Sequence, residues 1–369
     1  MSERGQTGQN IAMVLVLWGA GLAAAAQFAK ISVIFDTFAA LYPGAGAWQG
    51  FLLSIISFVG VIFGVTGGAL VARFGTRSIL IGCLALGAVM SVLQAMLPPL
   101  PVMLALRFVE GFSHLGIVIA APTLIAGLTE GRWQGAAMTL WGSFFGVSFA
   151  LTAFVGVPMA QALGVPALFL AHGGIMLAFA LILLAVLPPI NQSANAPEQP
   201  NPVTLHARIY RSPWLSAAAL GWLFYTLTFV SLLAVLPRFI VEEDRELAIT
   251  LMPLAGIALS LTLGVALLRF LPATTVVVAG FGLSAVAAGA FSVWGASAWI
   301  AILLFALLGL IQGASFAAVA QLNKTGANRA LANGAMAQMG NTGNLLGTPV
   351  LLGIVGAAGF EEQLSHPGR

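Results

Sequence analysis

Charged residues are scarce in this chain, and cysteine is scarcer still. Only 7% of its 369 residues are Asp, Glu, Lys or Arg, against about 25% in an ordinary soluble domain. Hydrophobic residues make up 60% of the sequence, which is more apolar side chain than a soluble core of this size can hide. The composition therefore excludes a soluble globular domain. The formal net charge of +3 does not point to a nucleic-acid partner, because the basic residues lie mostly in short loops.

The single cysteine, Cys83, lies inside an apolar stretch. One thiol excludes an intrachain disulfide framework and a thiolate metal site. The sequence also lacks a cluster of metal ligands, a serine nucleophile in a recognisable turn and a Gly-Lys-Ser/Thr phosphate loop. We therefore predict no enzyme activity, no bound metal and no cofactor, with energy supplied by a gradient.

Long apolar runs are what the sequence has in abundance. A helix needs about 20 mainly apolar residues to cross about 30 Å of hydrocarbon. On this rule we predict an all-α membrane protein with an N-terminal six-helix bundle at 1–190, a cytoplasmic connector at 191–212 and a C-terminal five-helix bundle at 213–369. The eleven predicted spans are 11–38, 48–71, 78–97, 102–128, 133–159, 165–187, 213–240, 247–268, 273–294, 298–322 and 330–358.

The two predicted bundles share a sequence repeat. The segment 68–74 (GALVARF) recurs as 264–270 (GVALLRF), and Glu110-Gly111 recurs as Gln312-Gly313. A repeated half is typical of transporters whose two bundles rock about a central site. The sixth span has no counterpart in the second half, so we expect the last helix of that half to be absent.

Lysine and arginine are biased toward one side of the predicted membrane. If the N-terminus is cytoplasmic, nine of these residues fall inside and three outside. This is the positive-inside bias of bacterial-type membrane proteins. We therefore predict a multi-pass protein of the cytoplasmic (inner) membrane with its N-terminus in the cytoplasm.

The loop after the second span reads GALVARFGTR over residues 68–77, and the fourth span contains an Arg107-x-x-x-Gly111 pattern. Both resemble sequence signatures of the major facilitator superfamily. The resemblance implies a two-bundle secondary transporter in which spans one, four, seven and ten surround the substrate path. The loop departs from the family where Ala72 replaces an acidic residue. A looser similarity, carried by Lys30 and by Leu-Pro-Arg at 236–238, is to the cyanate-permease-like branch.

The loop motif predicts a gate on the cytoplasmic side. Its glycines permit a tight turn and a close approach of helices, and its arginines find acceptors at neighbouring helix ends. We predict that Arg73 or Arg77 pairs with Glu130 in one of two access states; the alternative is that all three are solvated loop charges. The predicted gate residues are Gly68, Arg73, Gly75, Arg77 and Glu130.

Charged residues inside spans give the sharpest functional signal, because burying one in lipid costs at least about 2.5 kcal/mol. Arg107, Glu110 and His114 share one helix face at depths of roughly 8, 12 and 18 Å. They form either a structural pair with a hydrogen-bonded histidine or a proton relay. Lys30 either snorkels to the outer interface or joins Arg107 in a positive site for an anion.

The second half offers neutral polar groups in its spans. Such groups either hydrogen-bond a polar substrate in a cavity or bond helix to helix. The candidates are Tyr225, Thr228, Gln312, Gln338, Asn341 and Asn344.

These observations favour a secondary active transporter that works by alternating access. Its expected partners are the lipid bilayer, protons and a small polar or anionic organic solute. Two alternatives are an exporter of amphipathic drugs, which needs only one acidic group, and a non-transporting sensor or assembly factor that keeps the fold.

Overall fold

The computed structural model describes residues 3–43, 48–188 and 201–357, and within these ranges the chain folds into helices with no strand. The first half contains α1 (Glu3–Ser32), α2 (Phe35–Ala39), α3 (Trp48–Phe74), α4 (Thr76–Ala95), α5 (Leu100–Leu128), α6 (Gly131–Gly142), α7 (Phe144–Leu151), α8 (Val157–Leu163) and α9 (Val165–Val186). The second half contains α10 (Pro202–Tyr210), α11 (Pro213–Val235), α12 (Glu242–Leu259), α13 (Val265–Leu267), α14 (Ala273–Trp294), α15 (Ala298–Leu322) and α16 (Gly326–Ala357). The all-α membrane class predicted from the sequence is confirmed.

Ten helices in the described ranges are long and apolar enough to cross a membrane, so the predicted count of eleven is not confirmed. The remaining predicted span, 330–358, is the 32-residue helix α16. This helix is long enough, but its amide side chains and glycines lower its hydropathy below that of a span. The polar segment 361–369 and the place of a twelfth helix lie outside the described residues.

The fifth predicted span, 133–159, is not one continuous α-helix. A turn at Ser143 separates α6 from α7, and a π-helical turn at Thr152–Gly156 separates α7 from α8. The Ser143 hydroxyl donates to the carbonyl of Leu140 at 2.7 Å, an interaction that competes with the regular helix ladder. The segment of this region that is long and apolar enough to span a membrane begins at Phe144 and ends at Leu163.

The two halves meet toward the side of the molecule where α3, α5 and α15 end and α4, α6 and α16 begin. We call this side the inner face; it is the side predicted to be cytoplasmic. Here α3 packs against α16 through glycines on both helices. A Cβ atom on Gly334 would lie 2.6 Å from the carbonyl oxygen of Gly64 and 2.8 Å from Cα of Gly68. Only glycine allows this approach, because the atoms on the other side are backbone.

The second part of the predicted connector is a short helix rather than irregular chain. Asn201 caps α10 by accepting a hydrogen bond from the backbone N–H of Thr204 at 2.8 Å, and Pro202 occupies its first turn. Both features favour a helix start. The apolar side of α10, formed by Leu205 and Ile209, is buried. The helix thus docks on the bundle beside α3 and α16.

Candidate functional site

A charge cluster lies inside the first half, between α1, α4, α5 and α9. It consists of Lys30, Ser91, Gln94, Arg107, Glu110 and His172, joined by hydrogen bonds. Lys30, Arg107 and Glu110 each have 0% relative exposure. Charges this deeply buried are retained in proteins only when they are paired and hydrogen-bonded.

Glu110 is the centre of the cluster and accepts hydrogen bonds on both carboxylate oxygens. Its Oε1 accepts from Lys30 Nζ at 2.6 Å. Its Oε2 accepts from Arg107 Nη1 at 2.6 Å and from Gln94 Nε2 at 2.7 Å. The carboxylate therefore has three donors around it, two of them cationic, and this arrangement favours its ionised form.

Arg107 ties the cluster to two further helices. Its Nη1 donates to the carbonyl of Gln27 on α1 at 2.7 Å, and its Nε donates to the carbonyl of Leu52 on α3 at 2.9 Å. Its other terminal nitrogen, Nη2, is buried and has no hydrogen-bond partner among the described residues. The guanidinium thus holds α1, α3 and α5 together, while the two N–H groups of Nη2 bond to no described residue.

Lys30 and His172 are connected through Ser91. Lys30 Nζ lies 2.6 Å from Ser91 Oγ, and Ser91 Oγ lies 2.6 Å from His172 Nδ1. His172 Nε2 lies 2.9 Å from the carbonyl of Ala23, which can only accept, so this nitrogen carries the proton. In the neutral ring Nδ1 then accepts from Ser91, and Ser91 accepts from Lys30.

His114 stands one helical turn further along the same face of α5. Its Nδ1 lies 3.0 Å from the carbonyl of Ala24, so Nδ1 donates. Its Nε2 makes no hydrogen bond to a described residue, and the ring packs edge-on against Phe28 with centroids 4.9 Å apart. At 6% exposure, the ring presents a free acceptor at the edge of the half.

The structure brings together three of the four charged or titratable residues that the sequence singled out in the spans, Lys30, Arg107 and Glu110. The fourth, His114, lies one turn further along α5 and bonds to the carbonyl of Ala24 instead. The structure buries Lys30 inside the half, so the snorkelling alternative is wrong. It also encloses Arg107 and Glu110 within one half rather than on an open surface between the halves. Reasoning from sequence missed His172, Ser91 and Gln94. His172 carried the same signal as His114, a titratable side chain in the middle of an apolar run.

The predicted polar residues of α11 and α15 are used within the fold. Tyr225 is buried and stacks on Trp222 with ring centroids 4.6 Å apart. The Thr228 hydroxyl donates back to the carbonyl of Phe224 at 2.8 Å. Gln312 reaches across to the first half, where its Nε2 donates to the carbonyl of Gly142 at 2.5 Å. Of these three, Gln312 alone bridges the halves.

Two of the three predicted polar residues of α16, Gln338 and Asn341, face the first half. Gln338 donates to the carbonyl of Val61 on α3 at 2.7 Å and accepts from the Tyr210 hydroxyl at 2.6 Å. Burial raises the pKa of Tyr210, so its hydroxyl stays a neutral donor. Asn341 bonds back to the carbonyl of Ala337 at 2.7 Å and packs against Gly60. The Oδ1 of Asn344 is buried and has no partner in the part of the chain that the structure describes.

The loop-motif residues are arranged differently from the predicted gate pair. Gly75 adopts φ 83°, a left-handed conformation that suits glycine, and it starts α4. Arg77 donates to the carbonyls of Leu187 and Leu184 at the end of α9, at 2.8 and 3.0 Å. Arg73 is exposed, with its guanidinium 5.3 Å from the Phe74 ring. Among the described residues neither arginine forms an ion pair with Glu130.

Arg329, which was not among the predicted gate residues, makes a contact between the halves at the inner face. Its Nη1 donates to the carbonyl of Ala126 on α5 at 2.8 Å, and its Nε donates to the carbonyl of Asn323 at 2.8 Å. Burial lowers the pKa of Arg329, and the nearby Glu130 carboxylate opposes this shift. Next to it, Asn333 Nδ2 donates to Thr123 Oγ1 at 3.0 Å. Neutral hydrogen bonds and one arginine thus close the inner face.

Solved structures of transporters have the same fold. The human organic anion transporter MFSD10 aligns with a TM-score of 0.77 at 16% identity, over 94% of this chain and 94% of that one. The fucose:proton symporter of E. coli aligns with a TM-score of 0.75 at 16% identity, over 95% and 93%. The proton:xylose symporter XylE aligns with a TM-score of 0.70 at 16% identity, over 96% and 90%.

Sequence comparison gives two matches, a short one to a single relative and a long one to a family model. A stretch of 114 residues is 32% identical to solute carrier family 22 member 15 of Xenopus tropicalis and covers 31% of this chain. It covers 21% of that protein, about a fifth of the relative's length. The narrower likeness to the cyanate-permease-like branch is not confirmed. The family model described as Major Facilitator Superfamily matches residues 15–348, and the chain therefore belongs to the major facilitator superfamily of membrane transporters.

Proposed function

We propose that this protein carries a small polar or anionic organic solute across the cytoplasmic membrane by alternating access, coupled to protons, with its N-terminus in the cytoplasm. The observation that carries the proposal is the charge cluster, an ionised carboxylate and two cations enclosed in one half of a two-half bundle. A buried network of this kind costs free energy to fold, which argues for a use beyond stability.

The contacts between the halves support alternating access. They lie toward the inner face and consist of glycine approaches such as Gly68 against Gly334, together with hydrogen bonds from Gln312, Arg329 and Asn333. None of these residues belongs to the charge cluster. The halves can therefore separate at this face while the charges keep their partners.

The chemistry of the first half supports a polar or anionic solute. The charge cluster contains two cations and one carboxylate, so it has a formal excess of one positive charge when Lys30 is protonated. An excess of this sign attracts an anion into adjoining space. His114 Nε2 adds a free acceptor for a hydroxyl or amide group of a solute. Relatives of the same fold are described as two proton-coupled sugar transporters and one organic anion transporter.

Proteoliposomes test the proposal directly. Purified protein would be reconstituted and offered a panel of labelled carboxylates and monosaccharides, with and without an imposed pH gradient. We expect at least one panel member to accumulate in a gradient-dependent manner, and a protonophore to abolish that accumulation. Accumulation that ignores the gradient would remove proton coupling. No uptake or exchange of any member would favour the sensor or assembly role.

A drug exporter remains the second candidate because aromatic rings meet where the halves join. Phe316 on α15 lies 6.4 Å from Trp141 on α6 and 5.0 Å from Trp222 on α11, measured between ring centroids. Such rings suit a flat amphipathic cation. Resistance of cells to lipophilic cations, lost on Trp141→Ala but kept in Trp299→Ala at an exposed position, would favour this reading over solute uptake.

A further inference from the structure

The charge cluster can bind or release a proton at only a few groups. Among the described residues, the titratable and charged groups around Lys30 are Arg107 and Glu110 from α5 and His172 from α9, and α4 adds the neutral Ser91 and Gln94. His114 lies one turn further along α5, where it bonds to the carbonyl of Ala24. An arginine stays protonated in proteins. The neutral ring of His172 already uses both nitrogens, since Nε2 donates to the carbonyl of Ala23 and Nδ1 accepts from Ser91. Lys30 and Glu110 then remain, bonded directly to each other.

Protonation of Glu110 is opposed by everything around it. Both of its oxygens accept hydrogen bonds, from Lys30, Arg107 and Gln94. A proton on either oxygen would place an O–H donor against the N–H donors of these three residues. It would also leave two cations buried with no anion. Removing the charge of one partner from a buried ion pair typically costs about 3–5 kcal/mol. The carboxylate is therefore fixed as the anion of the cluster.

Loss of a proton from Lys30 costs no strong hydrogen bond. An ammonium has three N–H donors, and a neutral amine keeps two. Lys30 Nζ has two close acceptors, Glu110 Oε1 and Ser91 Oγ, each at 2.6 Å. Its third neighbour, His172 Nδ1, lies at 3.5 Å and already accepts from Ser91 at 2.6 Å. The third proton of the ammonium is therefore the one that lacks a good acceptor.

Release of that proton also removes the uncompensated charge of the cluster. With Lys30 as an amine, Arg107 and Glu110 form a neutral pair. Two interactions oppose the loss, the attraction of Glu110 and the Phe169 ring, whose centroid lies 4.8 Å from Nζ. The cluster thus has two states of comparable hydrogen bonding, one with a net charge of +1 and one neutral.

We propose that Lys30, and not Glu110, takes up and releases the coupled proton. In the release step one N–H bond of the ammonium breaks, the electron pair stays on Nζ, and the proton passes to water on the side to which the half is open. Glu110, Ser91 and Arg107 act as positioning residues. The inference rests on the proposed transport function and explains how a proton and an anionic solute travel together, since the protonated cluster attracts an anion and the neutral cluster does not.

The sequence makes a direct test possible because the chain contains two lysines, Lys30 and Lys324. Protein labelled with lysine carrying ¹³C at Cε gives two signals, and the Lys324→Arg variant identifies the one from Lys30. The Cε shift reports whether Nζ is an ammonium or an amine. Spectra of the full chain in detergent micelles would be recorded from about pH 5 to pH 10, spanning the ordinary range of histidine and nearly that of lysine. A second sample labelled at glutamate Cδ, with Glu110→Gln as the assignment control, reports Glu110.

We expect the Lys30 signal to move from the ammonium to the amine position within this range while the Glu110 signal stays at the carboxylate position. In proteoliposomes, Lys30→Arg, whose charge cannot be removed, should lower gradient-driven accumulation to the level without a gradient. A Lys30 signal that stays ammonium while a pH gradient drives uptake would overturn the inference and leave the transport proposal standing. A titrating Lys30 with no gradient-driven uptake of any panel solute would overturn the transport proposal itself.

Discussion

Helices α5 and α15 contain corresponding residues of the sequence repeat, but these residues bond to different halves of the molecule. Both are largely buried, and Glu110 of α5 corresponds to Gln312 of α15 in the repeat. Glu110 binds its partners within its own half, whereas Gln312 donates to the carbonyl of Gly142 in the other half. The difference separates two tasks. The first half holds charge, and the contact between the halves is made mainly by neutral groups that can part at low cost.

Removing the carboxylate of Glu110 should have the largest effect. Glu110→Gln leaves Lys30 and Arg107 without an anion, so we expect a loss of about 3–5 kcal/mol in unfolding free energy, measured by denaturant or thermal unfolding in detergent. The Arg107→Met/Glu110→Gln double variant should recover part of this loss, because Lys30 can then become a neutral amine and no unpaired charge stays buried. A single variant as stable as the parent would contradict the charge account.

A bulkier residue at Gly334 should weaken the closed inner face. Gly334→Val pushes side-chain atoms against the backbone of Gly64 and Gly68, and overpacking of this kind costs about 1–3 kcal/mol. Reactivity of a cysteine introduced at Ala126, tested after Cys83→Ser, should rise as the face opens. Gly282→Ala, where a Cβ meets nothing within 4 Å, is the matched control and should leave reactivity unchanged; an equal rise there would dismiss the glycine argument.

Loss of the cross-half bond of Gln312 should have a smaller effect. Gln312→Leu removes one neutral hydrogen bond, worth about 1 kcal/mol, and so changes the ratio of closed to open molecules about fivefold. The same cysteine-reactivity measurement applies. Because Ser315 donates to the carbonyl of Ile311 within its own helix, Ser315→Ala is the control. A larger rise in cysteine reactivity for Ser315→Ala than for Gln312→Leu would mean that the Gln312 hydrogen bond does not hold the halves together.

The connector helix should make the smallest contribution. Tyr210→Phe removes the hydroxyl that donates to Gln338. Because this bond is only partly buried, we expect a loss of about 0.5 kcal/mol, the low end for a hydrogen bond, together with a modest opening of the inner face. Tyr42→Phe removes a comparable bond, to the carbonyl of Pro98 at 3.0 Å, near the opposite face. Equal opening in both variants would mean that α10 does not stabilise the inner face.

The helices of the fold were predictable because lipid imposes a length and a composition on each span. The membrane class, ten spans and the polar interruption at 191–212 follow from that rule alone. The eleventh predicted span is not confirmed, and the packing of α16 gives a physical reason. Helix α16 buries its amides and glycines against α3 and α11, so protein contact rather than apolar composition stabilises it.

The membership of the charge cluster was predictable only along a single helix. The spacing of Arg107, Glu110 and His114 puts them on one face of α5, but no local pattern says which other helices lie opposite. His172 and Ser91 joined the cluster through packing of α9 and α4. Arg329 was visible only as a positive charge near the membrane surface, and its role at the inner face depends on the carbonyl of Ala126 in the other half.

Alternating access itself is tested most directly by two distances in one protein. After Cys83→Ser, spin labels would be attached at Arg132 and Lys324 on the inner face, and in a second sample at Trp48 and Trp299 near the opposite face; all four are exposed. Pulsed dipolar spectroscopy in nanodiscs at several pH values should give two populations in each sample, with the inner pair short when the outer pair is long and the reverse. Single distances that stay constant across pH and in Gly334→Val would contradict the account.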